Sequence, residues 1–118
     1  MTSDQQQLAY IAINDNDFDK RKEAFNRLFD QELLAYVILE TCSSRYINGI
    51  DILGDNAVKK LSDQRLLGYV AKNALNCYVR FEAVTELADR QALAEIAASD
   101  EDWNVRDLAN KKLAELNK

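Results

Sequence analysis

The stretch SDQRLLGYVA (residues 62–71) decides the fold, because nearly the same ten residues occur three more times in the chain. The other copies are SDQQQLAYIA (residues 3–12), FDQELLAYVI (29–38) and ADRQALAEIA (88–97). Their starts are separated by 26, 33 and 26 residues. A phrase that returns at a nearly fixed period is typical of a stacked repeat protein. The sequence therefore predicts an array of similar units, one of which carries seven extra residues.

Each copy predicts an α-helix, which we call helix A. We number the first residue of each copy as position 1. An aspartate at position 2 precedes the helix in all four copies, where its carboxylate can accept the unpaired backbone amides of the first turn. These aspartates are Asp4, Asp30, Asp63 and Asp89. Apolar residues at positions 6 and 9 lie on one helical face, so we expect them in the core.

A second pattern follows a short polar break in repeats one, three and four and predicts helix B. Its copies are FDKRKEAFNRL (residues 18–28), CYVRFEAVTEL (77–87) and WNVRDLANKKL (103–113). Asp17, Asn76 and Asp102 precede these copies as candidate helix caps. Each repeat is thus a helical hairpin. We predict an all-α fold, a right-handed alpha-alpha superhelix or short solenoid of about four hairpins, forming one domain over residues 1–118 with repeats at 3–28, 29–61, 62–87 and 88–113.

The seven extra residues belong to repeat two, and their position has two interpretations. Gly54 suits the residue that follows a helix end, so we favour a helix after Ser43 and Ser44 that stops there. An additional turn over residues 56–61 would then lie between repeats two and three. The alternative takes residues 57–61 as the end of helix B and places the insertion in the hairpin loop.

The composition excludes several classes of function. The net charge is -5 with a pI of about 4.7, so the chain would be repelled by nucleic acid. The chain has no histidine, and its cysteines, Cys42 and Cys77, have no zinc-ligand spacing. We interpret both as buried, reduced thiols and leave a disulfide between neighbouring repeats open. No apolar stretch is long enough for a membrane span, so we expect a cytoplasmic protein without membrane contact.

The sequence gives little support for catalysis or metal binding. There is no histidine base, glycine-rich phosphate loop or nucleophile elbow, and the carboxylates recur with the repeat as helix caps do. The acidic stretch over residues 15–19 lacks the glycine and the glutamate of a calcium loop. We therefore expect no catalytic, metal-binding or cofactor-binding residue and predict that the protein is not an enzyme.

The helix B pattern resembles the HEAT-like repeat family, particularly its short bacterial form, which is similar to the repeats of phycobilin lyase subunits. Val79-Arg80 with Ala83, and Val105-Arg106 with Ala109 after an acidic turn, carry the resemblance. It implies a structural arginine ladder, in which each arginine bonds an aspartate or the backbone of a neighbouring turn. The ladder would consist of Arg21, Arg80 and Arg106, with Asp17, Asp100 and Asp102 as possible partners. Repeat two departs from the pattern, although Arg45 could take the place of its arginine.

Position 8 holds Tyr10, Tyr36 and Tyr69 in the first three repeats and Glu95 in the fourth. In stacked hairpins the three rings would form a column, and tyrosine is enriched where protein interfaces carry their binding energy. These four residues are the candidate partner-binding set. The alternative interpretation packs each ring into the next repeat and leaves its hydroxyl in water. Glu95 indicates that the position is at least partly exposed.

Carboxylates at the hairpin turns form a second candidate surface, because the turns of successive hairpins lie on one edge of an array. Its members are Asp15, Asp17, Asp100, Glu101 and Asp102. They cap helices or, as an acidic rim, would attract a basic partner.

We expect a non-catalytic scaffold for protein–protein interaction that binds a neutral or basic protein on one face of the array. An alternative is a bacterial immunity or inhibitor protein that neutralises a basic toxin. A bilin lyase-type chromophore-handling protein is a third hypothesis, implied by the family resemblance. Polar replacements at the terminal repeats, such as Gln7, Lys20 and Asn110, indicate finished ends and predict a complete protein. We also expect a monomer.

Overall fold

The structure, a computed structural model, describes residues 4–41 and 57–117, and within these ranges it consists of helices and connecting turns without strands. The all-α class is therefore confirmed. The described elements are α1 (Asp4–Asn14), α2 (Phe18–Arg27), α3 (Gln31–Thr41), a 3₁₀ turn (Val58–Lys60), α4 (Gln64–Asn73), α5 (Cys77–Glu86), α6 (Arg90–Ser99) and α7 (Trp103–Leu116). No helix in these ranges is long and apolar enough to cross a membrane.

Most of the helices begin at the caps that the sequence predicts. The side chains of Asp17, Asn76 and Asp102 accept hydrogen bonds from the first amides of α2, α5 and α7. Asp63 and Asp89 cap α4 and α6 in the same way. The amide two residues after each cap is 2.8 to 2.9 Å from the accepting oxygen. The cap interpretation is confirmed at these five helix starts.

The helices pack as hairpins, and successive hairpins contact each other through equivalent helices. Helix α1 packs on α2, α4 on α5, and α6 on α7. The A helices form one row of contacts, from α1 to α3, from α3 to α4 and from α4 to α6. In the second layer α5 contacts both the 3₁₀ turn and α7.

The core lies between these two layers and is built from the positions that repeat. Leu34, Leu67 and Leu93 at position 6 are no more than 1% exposed. The small residues of helix B, Ala24, Ala83 and Ala109, are also buried, which allows the paired helices to approach closely. In repeat one Leu8 and Ile11 are only half-buried, because no hairpin precedes α1 in the described chain.

Residues 57–61 end in a turn that resembles the ends of α2 and α5. Leu28 and Leu87 follow the last turns of α2 and α5, and each donates its amide to the carbonyl three residues earlier, at 3.1 Å. Leu61 donates to Val58 O in the same way, at 3.0 Å. A turn over these residues fits both placements of the insertion, and residues 42–56, which would decide between them, lie outside the described residues. Ser43, Ser44, Arg45 and Gly54 lie outside the described residues, as does Cys42.

Candidate protein-binding surface

The tyrosines at position 8 of the first three A helices, which we call the tyrosine column, are exposed. Tyr10 is 69% exposed, Tyr36 is 52% exposed and Tyr69 is 56% exposed. A ring packed into the next repeat would lose most of its accessible surface. The three rings are therefore not fully packed into the next repeat, and their role in an interface stays a prediction.

The helix backbone at the tyrosines accepts side-chain hydrogen bonds or lies next to apolar residues. Asn14 and Asn73 donate side-chain hydrogen bonds to the carbonyls of Tyr10 and Tyr69, at 3.1 and 2.8 Å. These bonds close the last turn of α1 and of α4. In repeat two, Leu33 and Leu39 lie three residues before and after Tyr36 and pack partly on the core. The tyrosines therefore lie on helices with closed last turns in α1 and α4, and Tyr36 has apolar neighbours on its own helix.

Glu95 replaces the tyrosine in repeat four and changes the chemistry of the column. It forms an ion pair with Lys72 of α4, so the two charges link neighbouring hairpins. Gln91 also donates to the Glu95 carboxylate, at 3.4 Å. The hydrogen bond from Lys72, reinforced by its charge, holds the pKa of Glu95 below its ordinary value. The aromatic surface thus ends at an ion pair.

A groove of about 430 Å³ opens where the column ends, and we call it the α4–α6 groove. It lies between the C-terminal ends of α4 and α6. Its lining residues are Lys72, Asn73, Ala74, Leu75, Arg80, Glu95, Ile96, Ser99, Asp100 and Glu101. The ion pairs of Lys72 with Glu95 and of Arg80 with Asp100 therefore both lie at this groove.

The three arginines of the predicted ladder make one equivalent bond. Each donates from Nη1 to the carbonyl six residues earlier, which belongs to the turn that joins helix A to helix B. Arg21 bonds Asp15 O at 2.6 Å, Arg80 bonds Ala74 O at 2.9 Å, and Arg106 bonds Asp100 O at 2.5 Å. The shared bond closes the hairpin itself.

Arg80 makes further bonds that join two hairpins. Its Nε and Nη2 donate to the two carboxylate oxygens of Asp100, at 3.0 and 3.3 Å, and both side chains are 6% exposed. Nη1 also donates to Leu75 O at 3.0 Å. The guanidinium is thus paired and buried, and it ties the turn of repeat three to the turn of repeat four.

The acidic rim is largely used inside the fold. Asp17 and Asp102 cap helices, and Asp15 accepts from the Asp17 amide at 2.8 Å. Asp100 accepts from Arg80 and from the Asp102 amide. Only Glu101 among the five has a mainly exposed side chain that caps no described helix; it is 66% exposed and 3.7 Å from Arg80. The structure therefore brings Glu101 and Glu95 together at the α4–α6 groove.

The glutamine at position 3 has a role that our sequence reasoning missed. Gln5 Oε1 accepts from the amides of Phe29 and Asp30, at 2.9 and 3.0 Å, and its Nε2 donates to Arg27 O at 3.4 Å. Gln31 and Gln64 bond the start of the next repeat in the same manner. We call this arrangement the glutamine latch. The signal was present, because glutamine occupies position 3 in three of the four copies.

Exposed aromatic residues on the B side were also not predicted. Tyr78 and Phe81 line a second groove of about 310 Å³ between α5 and α7, together with Cys77, Asp102, Asn104 and Val105. Trp103 is exposed nearby at the start of α7. Cys77 is a half-buried free thiol at the start of α5. Trp103 shares the first helix B position with Phe18, whereas Tyr78 and Phe81 have no aromatic counterpart in the other copies, so the pattern did not single them out.

A comparison of the chain with protein-family models, with curated proteins and with solved structures finds no match in any of the three.

Proposed function

We propose that the chain is a short right-handed solenoid of HEAT-like hairpins that binds another protein across the tyrosine column. It acts as a non-catalytic, monomeric scaffold in the cytoplasm. The observation that carries the proposal is the exposure of three tyrosines at one repeat position on successive helices. An α-helix surface needs no such residue for its own stability.

The contacts between equivalent helices support the solenoid. Helices α1, α3, α4 and α6 contact one another in chain order, as stacked hairpins require. The Cα atoms span 46 × 29 × 19 Å, which is longer in one direction than an even globule. Packed helices lie about 8 to 10 Å apart, so the tyrosines would repeat at that interval along the array.

The chemistry of the column supports a protein as the ligand. Tyrosine offers a large apolar ring with a polar tip, and it loses little conformational entropy when it binds. A standard interface buries about 800 Å² on each partner, so three tyrosines would form its centre and not its whole area. The half-buried leucines around Tyr36 and the charges around Tyr69 would supply the remainder.

The proposal is tested by the triple variant Tyr10→Ala/Tyr36→Ala/Tyr69→Ala. Exposed residues contribute little to stability, on the order of 0.5 kcal/mol each, so the variant should melt within a few degrees of the parent protein. Partner capture from the native cell extract, followed by mass spectrometry, should be lost.

The matched control is Phe29→Ala/Tyr78→Ala/Trp103→Ala, which removes three exposed aromatic residues outside the column. It should capture the same proteins as the parent chain. Unchanged capture by the tyrosine variant would overturn the proposal, and so would unfolding of that variant, since the rings would then be structural.

A further inference from the structure

Helix α3 has an exposed face on which Tyr36 lies between two glutamates, and we call these three residues the α3 strip. Glu32 lies four residues before Tyr36 and Glu40 lies four residues after it, and all three side chains are exposed. Residues four apart on a helix are neighbours on one face, with Cβ atoms about 6 Å apart. The strip therefore consists of a carboxylate, an aromatic ring and a second carboxylate along about 12 Å of helix.

The two carboxylates of the α3 strip are not used inside the fold. Neither Glu32 nor Glu40 forms an ion pair or a side-chain hydrogen bond with any residue that the structure describes. This distinguishes them from Glu95, which is bound to Lys72, and from Asp100, which is bound to Arg80. Both charges are therefore available to a ligand that approaches the tyrosine column.

The neighbouring A helices do not neutralise the strip. Helices α1 and α4 both contact α3. The equivalent positions hold Gln6 and Asn14 in α1, and Arg65 and Asn73 in α4. Arg65 pairs with Asp63 at the start of its own helix, at 3.4 Å. The middle of the tyrosine column is therefore its negatively charged part.

The centre of the α3 strip is apolar. Leu33 and Leu39 lie three residues before and after Tyr36 and are partly buried against the core. Side chains three apart on a helix are also neighbours, so the two leucines adjoin the exposed ring. The surface thus combines an apolar centre with a negative charge at each end.

We infer that the partner of the tyrosine column places an extended basic segment on the α3 strip, with one arginine at each glutamate and an apolar side chain on Tyr36. The inference rests on the proposed function of the same face and specifies the chemistry of its partner. Every second side chain of an extended segment lies on the same face, about 6.6 Å apart, which is close to the interval of about 6 Å along the strip. The sequence pattern Arg-x-apolar-x-Arg therefore fits its three residues. A guanidinium can bind a carboxylate through two parallel hydrogen bonds, which favours arginine over lysine.

The test is a titration of the ¹⁵N-labelled protein with the acetylated, amidated heptapeptide GRTVTRG, followed by NMR. Threonine and valine favour the extended backbone that the inference requires. The peptide should shift the amides of Glu32, Tyr36 and Glu40 with a dissociation constant on the order of millimolar. The peptide GRRTVTG has the same composition and charge with the wrong spacing, and it should bind about tenfold more weakly. The charge-reversed peptide GETVTEG should not shift these amides.

The double variant Glu32→Gln/Glu40→Gln should weaken binding of GRTVTRG by about tenfold, because charge-assisted hydrogen bonds are lost. The control Glu23→Gln/Glu115→Gln removes the same charge at exposed sites of α2 and α7 and should bind as the parent protein does. Equal binding of the two arginine peptides, shifts of the strip by GETVTEG, unchanged binding by the strip variant, or no saturable shift would each overturn the inference.

The strip variant also separates this inference from the proposed function when it is used in the partner capture. Loss of capture by the triple tyrosine variant together with full capture by Glu32→Gln/Glu40→Gln would overturn the basic segment and leave the tyrosine column as the binding surface. Full capture by both variants would overturn both proposals.

Discussion

A buried ion pair between Arg80 and Asp100 links repeats three and four. Replacing Arg80 by Met would leave the Asp100 carboxylate buried without its cation and would leave Ala74 O and Leu75 O without their donor. Breaking a buried pair from one side costs about 3 to 5 kcal/mol. We expect a loss of that size in the free energy of unfolding, measured by urea denaturation.

The control for this variant is Arg65→Met, because Arg65 is 89% exposed and pairs only with Asp63 within the described chain. Exposed pairs contribute less than about 1 kcal/mol. Equal effects of the two substitutions would show that burial of Arg80 does not stabilise the junction.

The pair between Lys72 and Glu95 predicts a dependence of stability on pH. Lys72 lowers the pKa of Glu95 in the folded state, so the pair stabilises the fold above the unfolded-state pKa, about 4.3. The stabilisation is lost as the pH falls through the folded-state value. We expect Glu95→Gln to melt below the parent protein near neutral pH and to approach it at low pH.

Melting curves followed by circular dichroism at several pH values check this expectation. Glu23→Gln is the control, because Glu23 forms no ion pair with any residue that the structure describes. A constant difference between Glu95→Gln and the parent protein across the acidic range would contradict the assignment.

The glutamine latch joins elements that are adjacent in the chain but belong to different hairpins. Gln64 Oε1 accepts from the Ala88 amide at 2.7 Å, and its Nε2 donates to Glu86 O at 3.3 Å. Gln64→Ala should destabilise the protein by about 1 kcal/mol, since water can replace the lost bonds at this exposed site. Gln91→Ala is the matched control, because Gln91 is exposed on the next helix A and its side-chain amide bonds only Glu95 among the described residues. Equal urea midpoints for the two variants would contradict the latch.

The elements of the fold could be predicted from the sequence to different degrees. Helix starts could be predicted because an N-cap requires a short polar side chain directly before the helix, as at Asp63 and Asn76. The placement of the insertion in repeat two stays a prediction, because Gly54 lies outside the described residues and the turn at Val58–Lys60 fits both interpretations. The latch was missed because glutamine at a helix start has no local signature and its partners lie 22 to 32 residues away.

At the scale of the whole molecule, the repeat predicted which residues form the core but not which ones reach solvent. Position 8 lies beside the core positions 6 and 9, so a tyrosine there can turn toward the next hairpin or away from it. The outcome depends on the angle between neighbouring hairpins, which sequence spacing does not determine. The α4–α6 groove could not be predicted from the sequence either, because its lining residues come from two repeats and from the turns that follow their A helices.

Coupling between hairpins predicts how the molecule unfolds. The inner hairpins share buried side chains and latches with their neighbours, so the array should open as one unit, although longer arrays can open in parts. Leu93→Ala, at a fully buried site in α6, should cost about 2 to 5 kcal/mol. Hydrogen exchange followed by mass spectrometry should then show protection falling equally in α4 and α6, because loss of the last hairpin exposes the core side of the preceding one. Leu75→Ala, at a half-exposed turn, should leave protection unchanged in both helices. Loss of protection confined to α6 and α7 would mean that the hairpins are energetically separate and that the contacts between A helices contribute little to stability.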